Sequence, residues 1–141
     1  LIPDAGAAAR PAEAPQGPAA DPSVARDGIG RMLKRRDFLA AAKAQKWGAP
    51  GLLVQARRRR EDEPAAPPAR VGFTCSKKVG NAVRRNRAKR RMRAAADAVL
   101  PGRARAGWDY VLIGLAGATE ARAFDALCAD LADAVDRLHA G

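Results

Sequence analysis

Cysteine and histidine are nearly missing from this 141-residue chain, which has two of the first, Cys75 and Cys128, and one of the second, His139. Two distant cysteines without a CxxC pair or a histidine at ligand spacing exclude a disulfide scaffold and a zinc site. Both fall at expected core positions, where a thiol behaves as a small hydrophobe, so the chain reads as reduced and cytoplasmic. His139 sits at the fraying end of the last helix and receives no catalytic role. No run approaches 18 apolar residues, so no bilayer-spanning helix and no membrane partner are expected. Asp97, Asp109 and the acids of the last helix do not cluster at ligand spacing, and Ser-His-Asp, Walker and HxE patterns are missing. A metal site and a catalytic residue made by the protein alone are therefore not expected.

The most telling shortage is local: from Ser76 to Arg93 there is no acid at all. The formal net charge is +11, distributed as 12 basic against 8 acidic residues over 1–69, 10 against 0 over 70–93, and 4 against 7 over 94–141. Charge runs are usually solvated helix faces with Glu interleaved four residues from Lys or Arg, because like charges at that spacing repel by a few tenths of a kcal/mol per pair. This segment keeps the repulsion until Asp97, which points to an anionic partner that relieves it. A cationic patch of this kind steers phosphate-rich polymers and binds them with strong salt dependence. An interfacial membrane helix would instead need Trp, Phe and Leu on its apolar face.

The patch is expected on a helix from about Asn81 to Leu100, capped by the Asn81 side chain, since Arg, Lys and Ala are good helix formers. At 100° per residue, Ala88, Met92, Ala95 and Val99 form one apolar stripe; Arg85, Lys89 and Arg93 run beside it, and Arg84, Arg87, Arg90 and Arg91 cover most of the rest.

The length allows one domain plus a tail. Residues 1–30, rich in Ala, Pro and Gly, are expected to be a disordered extension, with Met32 the expected natural start and 31–141 the folded domain. Asp37 is expected to cap a short helix to Trp47, ended by Gly48-Ala-Pro-Gly51. Leu52 to Arg57 reads as a first strand, and residues 58–69, with Arg57 to Arg60 facing Glu61 to Glu63 before a run of prolines, as a long mobile hairpin loop. Val71 to Ser76 alternates, with Val71, Phe73 and Cys75 on a packing face and Gly72, Thr74 and Ser76 on a face free for ligand. Trp108 to Leu115 is a further strand, and Thr119 to Leu138 an amphipathic helix covering the sheet. The order αββαβα implies a small α+β domain with helices packed on one sheet.

The unbroken segment Arg70-Val-Gly-Phe-Thr-Cys-Ser-Lys-Lys-Val-Gly-Asn-Ala-Val-Arg-Arg-Asn-Arg-Ala-Lys-Arg-Arg-Met-Arg93 resembles the signature of the bacterial ribonuclease P protein subunit family, with its Arg-Asn-Arg core followed by Lys/Arg pairs. Leu33 to Phe38, the Trp108 to Ile113 strand and the final helix are similar to the family's flanking elements, so the resemblance spans about 31–139. It implies an α/β sandwich of ribosomal-protein type with a left-handed crossover through the basic helix, against the usual right-handed preference. It also implies an enzyme only as the protein component of an endoribonuclease ribonucleoprotein, a hydrolase whose chemistry is carried by RNA. The partners implied are a catalytic RNA, in a 1:1 holoenzyme, and precursor tRNA, whose 5′ leader is removed with Mg²⁺ bound mainly by the RNA.

Carried onto this chain, the resemblance assigns Arg85, Asn86, Arg87, Lys89, Arg90 and Arg93 to docking of the RNA, and Lys77, Lys78 and Asn81 to the junction of RNA and leader. Phe38, Val54, Thr74 and Ser76 fall to the leader cleft, where a flat ring can stack on an unpaired base. Family members often carry aromatics where this chain has Ala42 and Leu52 or Val54. Composition alone would also suit a structural ribosomal or other double-stranded RNA-binding module, and an unaided nuclease is a third reading.

Overall fold

The structure is a computed structural model that describes residues 23–140. The amino-terminal extension to residue 22 lies outside the described residues. Strands β1 (Ile29–Arg31), β2 (Gln45–Gly48), β3 (Leu52–Arg58), β4 (Ala69–Cys75) and β5 (Trp108–Gly114) form one mixed sheet in the order β1-β4-β5-β3-β2. β1, β4 and β5 run parallel, and β3 is antiparallel to both β5 and β2. Helices α2 (Ala82–Val99) and α4 (Phe124–Ala140) cover one face, while α1 (Arg35–Ala42) crosses part of the other. A one-turn helix α3 (Ala118–Ala121) leads into α4. This is the α+β class expected, with helices on a sheet.

The period-two alternation of the strands decides the layers. Leu52, Val54, Ala56, Val71, Phe73, Cys75, Tyr110 and Leu112 face α2 and α4, where they meet Ala88, Met92, Ala95, Leu127, Leu131 and Val135 in the main core. On the opposite face a smaller cluster joins Met32, Ala41 and Val111, with Phe38 and Ile113 packed against it. The apolar stripe anticipated on the basic helix is the one buried, with Ala96 added and Val99 at its margin.

Several expectations are corrected. The domain begins before residue 31: Val24 is buried and bonds Ala104 through its backbone, and Ile29 to Arg31 form the edge strand β1. Met32 is likewise interior, with its amide on the Val71 carbonyl. The first helix is shorter and starts earlier, with Lys34 at its N-cap position; Asp37 lies in the first turn, where its carboxylate takes Arg70 Nη1 at 3.2 Å instead of capping. Trp47 belongs to β2, opposite Val54, with the Arg137 guanidinium 4.9 Å from its ring centroid. The loop after β3 does not close a hairpin, because β5 lies between β3 and β4.

That loop is also tied down. Arg57 holds Glu63 through two bonds of 2.9 and 2.7 Å, and the buried Arg59 reaches the carbonyls of Pro64, Pro67 and Pro68. Lastly, the final helix breaks at Arg122, whose backbone is extended. The Arg122 guanidinium crosses to Asp130 at 2.5 and 3.1 Å, and Arg91 of α2 takes the Thr119 and Arg122 carbonyls.

Candidate nucleic-acid interface

α2 forms as its sequence requires. Asn81 is extended and its side-chain oxygen accepts the Arg84 amide at 3.1 Å, satisfying one of the unpaired donors of the first turn. Ahead of it, β4 ends in a 3-10 turn, Lys77–Val79, that sinks Val79 into the core and turns Lys77 and Lys78 outward. Gly80 then takes φ 124°, a conformation open to glycine, to redirect the chain into the helix. Lys77, Lys78, Arg84, Asn86, Arg87 and Arg90 are exposed along this path. Lys77, Lys78, Arg84, Lys89 and Arg90 have no carboxylate partner among the described residues, whereas Arg87 lies 3.5 Å from Glu120.

Three of the arginines face inward or sideways. Arg85 donates to the Ser76 and Cys75 carbonyls at 3.1 and 3.4 Å, so much of its guanidinium braces the turn carrying the two lysines. Arg91, placed on the polar surface by helical spacing, fastens α2 to the α3 region. Arg93 lies 5.8 Å from the Phe73 ring centroid.

On the other face of the sheet, α1 overhangs a groove of about 480 Å³ lined by Leu33, Arg35, Phe38, Ala42, Gln55, Phe73, Thr74, Val111 and Ile113. Phe38 reaches it because Gly72 lies beneath: a Cβ there would stand 2.7 Å from two carbons of the Phe38 ring. Thr74 contributes to the groove as anticipated, and Ser76 lies half-buried where β4 leaves the sheet. Val54 does not contribute. It is fully buried toward α2 and α4, and its neighbour Gln55 is the residue whose side chain faces the groove. Phe38 forms the wall under α1, with aliphatic Val111 and Ile113 as floor, and Phe73, whose side chain belongs to the main core, also borders the groove. Gln55, Val111, Ile113, Leu33 and Arg35 were not anticipated. Gly72 was the available signal, since a glycine inside a strand marks a close approach.

Beside the groove, Asp109 of β5 sits almost fully buried between cross-strand neighbours Arg57 and Arg70. Arg70 grips it at 2.9 and 2.6 Å, Arg59 lies 3.3 Å away and Arg57 3.9 Å away. The hydrogen bond to Asp109 raises Arg70 above its usual value, and that to Glu63 raises Arg57. In return Arg57, aided by the Arg60 amide, holds the Glu63 carboxyl down at about 2. Burial pushes the Cys128 thiol up, and both cysteines are unpaired.

A small α+β domain that shows an arginine-covered helix on one side of the sheet and a groove walled by Phe38 on the other is the class this fold and surface define. Within that class the chain belongs to the ribonuclease P protein family, whose family model matches residues 29–139. The ribonuclease P protein component of Ruegeria pomeroyi is 58% identical over 116 residues, covering 82% of this chain and 91% of that protein. The corresponding component of Paramagnetospirillum magneticum is 49% identical over 113 residues, 79% and 84% of the two chains. Among solved structures, the RNase P protein of Thermotoga maritima superposes with a TM-score of 0.61 at 26% identity, covering 76% of this chain and 96% of that one. Membership in this family implies a part in tRNA 5′ processing as a component of an endoribonuclease holoenzyme. No helix among the described residues is long and apolar enough to cross a membrane.

Proposed function

We propose that this chain docks the catalytic RNA of ribonuclease P through α2 and holds the 5′ leader of precursor tRNA in the groove under α1, acting in the cytoplasm as one protein per RNA. The observation that carries this reading is the join between the two surfaces. β4 floors the groove with Thr74 and, two residues beyond its end, begins the Lys77–Lys78 turn that leads into α2. One short segment thus presents cations to two polyanions at once and lowers their mutual repulsion.

Arg suits the docking face because its planar fork makes paired hydrogen bonds to phosphate. In the groove, Phe38 offers a stacking surface to an unpaired base while Arg35 meets backbone phosphate, an arrangement with little sequence preference. Cleavage belongs to the RNA in this scheme, which also binds most of the Mg²⁺. Asp37, Asp109 and Glu63 are each engaged by arginine.

The test is reconstitution with bacterial ribonuclease P RNA at low Mg²⁺. The protein is expected to stimulate precursor tRNA cleavage strongly and to cleave nothing when stripped of RNA. Cleavage by the protein alone, or no stimulation, would overturn the reading.

A further inference from the structure

A second hollow lies on the α2 side of the sheet, where the C-terminal half of that helix passes the edge strand β1. It measures about 310 Å³, the small end of ligand-sized pockets. Its floor is apolar, made by Val71, Leu100 and Phe73, and no side chain among the described residues fills it. Arg31 of β1 and Arg93 of α2 stand at 5.4 and 5.8 Å from the Phe73 ring centroid, and an exposed pair, Arg26 and Asp97 at 3.7 Å, closes the far rim.

We propose that this hollow takes one unpaired base of the RNA docked by α2, extending that interface around the helix to β1. The inference rests on the docking reading above and deepens it. Two guanidinium groups converge on one ring, so the repulsion between them is relieved by phosphates on either side of an inserted base. Their planes are stacking surfaces for it, as arginine is in single-stranded RNA recognition. Asp97, held only by a long exposed contact, is the acceptor available to an exocyclic amino group or ring N–H. Arg93 belongs both to the docking helix and to this pocket, so an RNA strand lying on α2 reaches the hollow along a helix whose one acid is Asp97. A base already paired in a duplex presents neither a free face nor a free edge, so the occupant is a bulged or loop nucleotide.

The experiment compares the full chain with Ile29→Trp, which fills the mouth of the hollow from β1, and with Arg31→Ala, an exposed position whose loss leaves the fold intact. Each is bound to ribonuclease P RNA, and the RNA is probed with base-modifying reagents at nucleotide resolution. One unpaired base protected by the wild-type protein is expected to become reactive with both variants, with affinity falling roughly 5- to 150-fold, the range for one lost stacked base. If no base changes reactivity with Arg31→Ala, while Arg87→Ala and Arg90→Ala still weaken binding, the pocket proposal fails and α2 docking stands. If those α2 variants bind as tightly as wild type, the docking reading itself fails, and this proposal with it.

Discussion

Replacing Arg85 and Arg90 by alanine separates two roles that look alike on one helix. Arg85 is half-buried and its guanidinium donates to the Ser76 and Cys75 carbonyls at 3.1 and 3.4 Å. A charge-assisted hydrogen bond contributes about 1.5–3 kcal/mol, but one of these is long and both are partly solvated, so about 1–2 kcal/mol in total is the reasonable figure. In a domain of this size each kcal/mol moves Tm by about 3–5 °C, and Arg85→Ala is expected to lower Tm by about 3–10 °C. Arg90 is exposed and has no carboxylate partner among the described residues. Its loss should leave Tm within about 2 °C, since surface substitutions fall within about 0.5 kcal/mol. RNA binding should show the opposite ranking. Plotting log affinity against log salt between about 50 and 200 mM, Arg90→Ala should flatten the slope by about 0.7–0.9, one phosphate contact, and Arg85→Ala should leave it nearly unchanged. Thermal unfolding and filter binding on the same preparations suffice. Equal flattening of the slope by both variants, with Tm unmoved in each, would refute the assignment of Arg85 to the turn.

Phe38→Ala should raise KM for a long-leader precursor more than for a one-nucleotide leader, and Gly72→Ala, whose methyl would displace the Phe38 ring, should do the same while costing about 1–3 kcal/mol of stability; equal effects on both substrates would assign Phe38 to packing alone. Glu63 is depressed to about 2 in the folded chain, below its unfolded value, so its contribution is fully present above about pH 4.5 and is lost as pH falls toward 2. Urea midpoints measured across that range should therefore drop less steeply in Glu63→Gln than in wild type. Asp109→Ala leaves Arg70 and Arg59 without their shared buried partner and should destabilise by about 3–5 kcal/mol, measured by urea unfolding; a loss below 1 kcal/mol would show that those arginines find other acceptors.

The basic helix was legible because everything that makes it is local: the Asn81 cap, the Ala and Arg content and a stripe at 100° per residue. The alternation of β4 was legible for the same reason. What stayed hidden depends on distant partners. β1 is three residues long and is a strand only through parallel pairing with β4, while Gly28 and Gly30 read locally as loop. Ala40 to Ala44 favours a longer helix than forms, and β2 exists because β3 offers Trp47 a place opposite Val54. The Val54 assignment shows how period two can mislead. The strand was found, but a shift of one residue exchanges faces, and local sequence does not say which face the helices will cover. Helical spacing sets Arg85 beside the apolar stripe and Arg91 on the polar surface, but nothing in it reveals a carbonyl that waits on another segment.

The middle position of the sheet is occupied by β5, the last strand to be made. Its neighbours β3 and β4 do not pair with each other, so neither has a hydrogen-bonded ladder on its inner edge until residues 108–114 arrive. A growing chain that has already produced the arginine-rich segment still lacks a closed architecture, and its assembly waits on contacts far apart in the chain, the kind that slow folding. During synthesis, polycations therefore emerge before the scaffold that will orient them, and a nascent chain halted short of β5 would meet cellular RNA as an adhesive ribbon without a defined docking geometry.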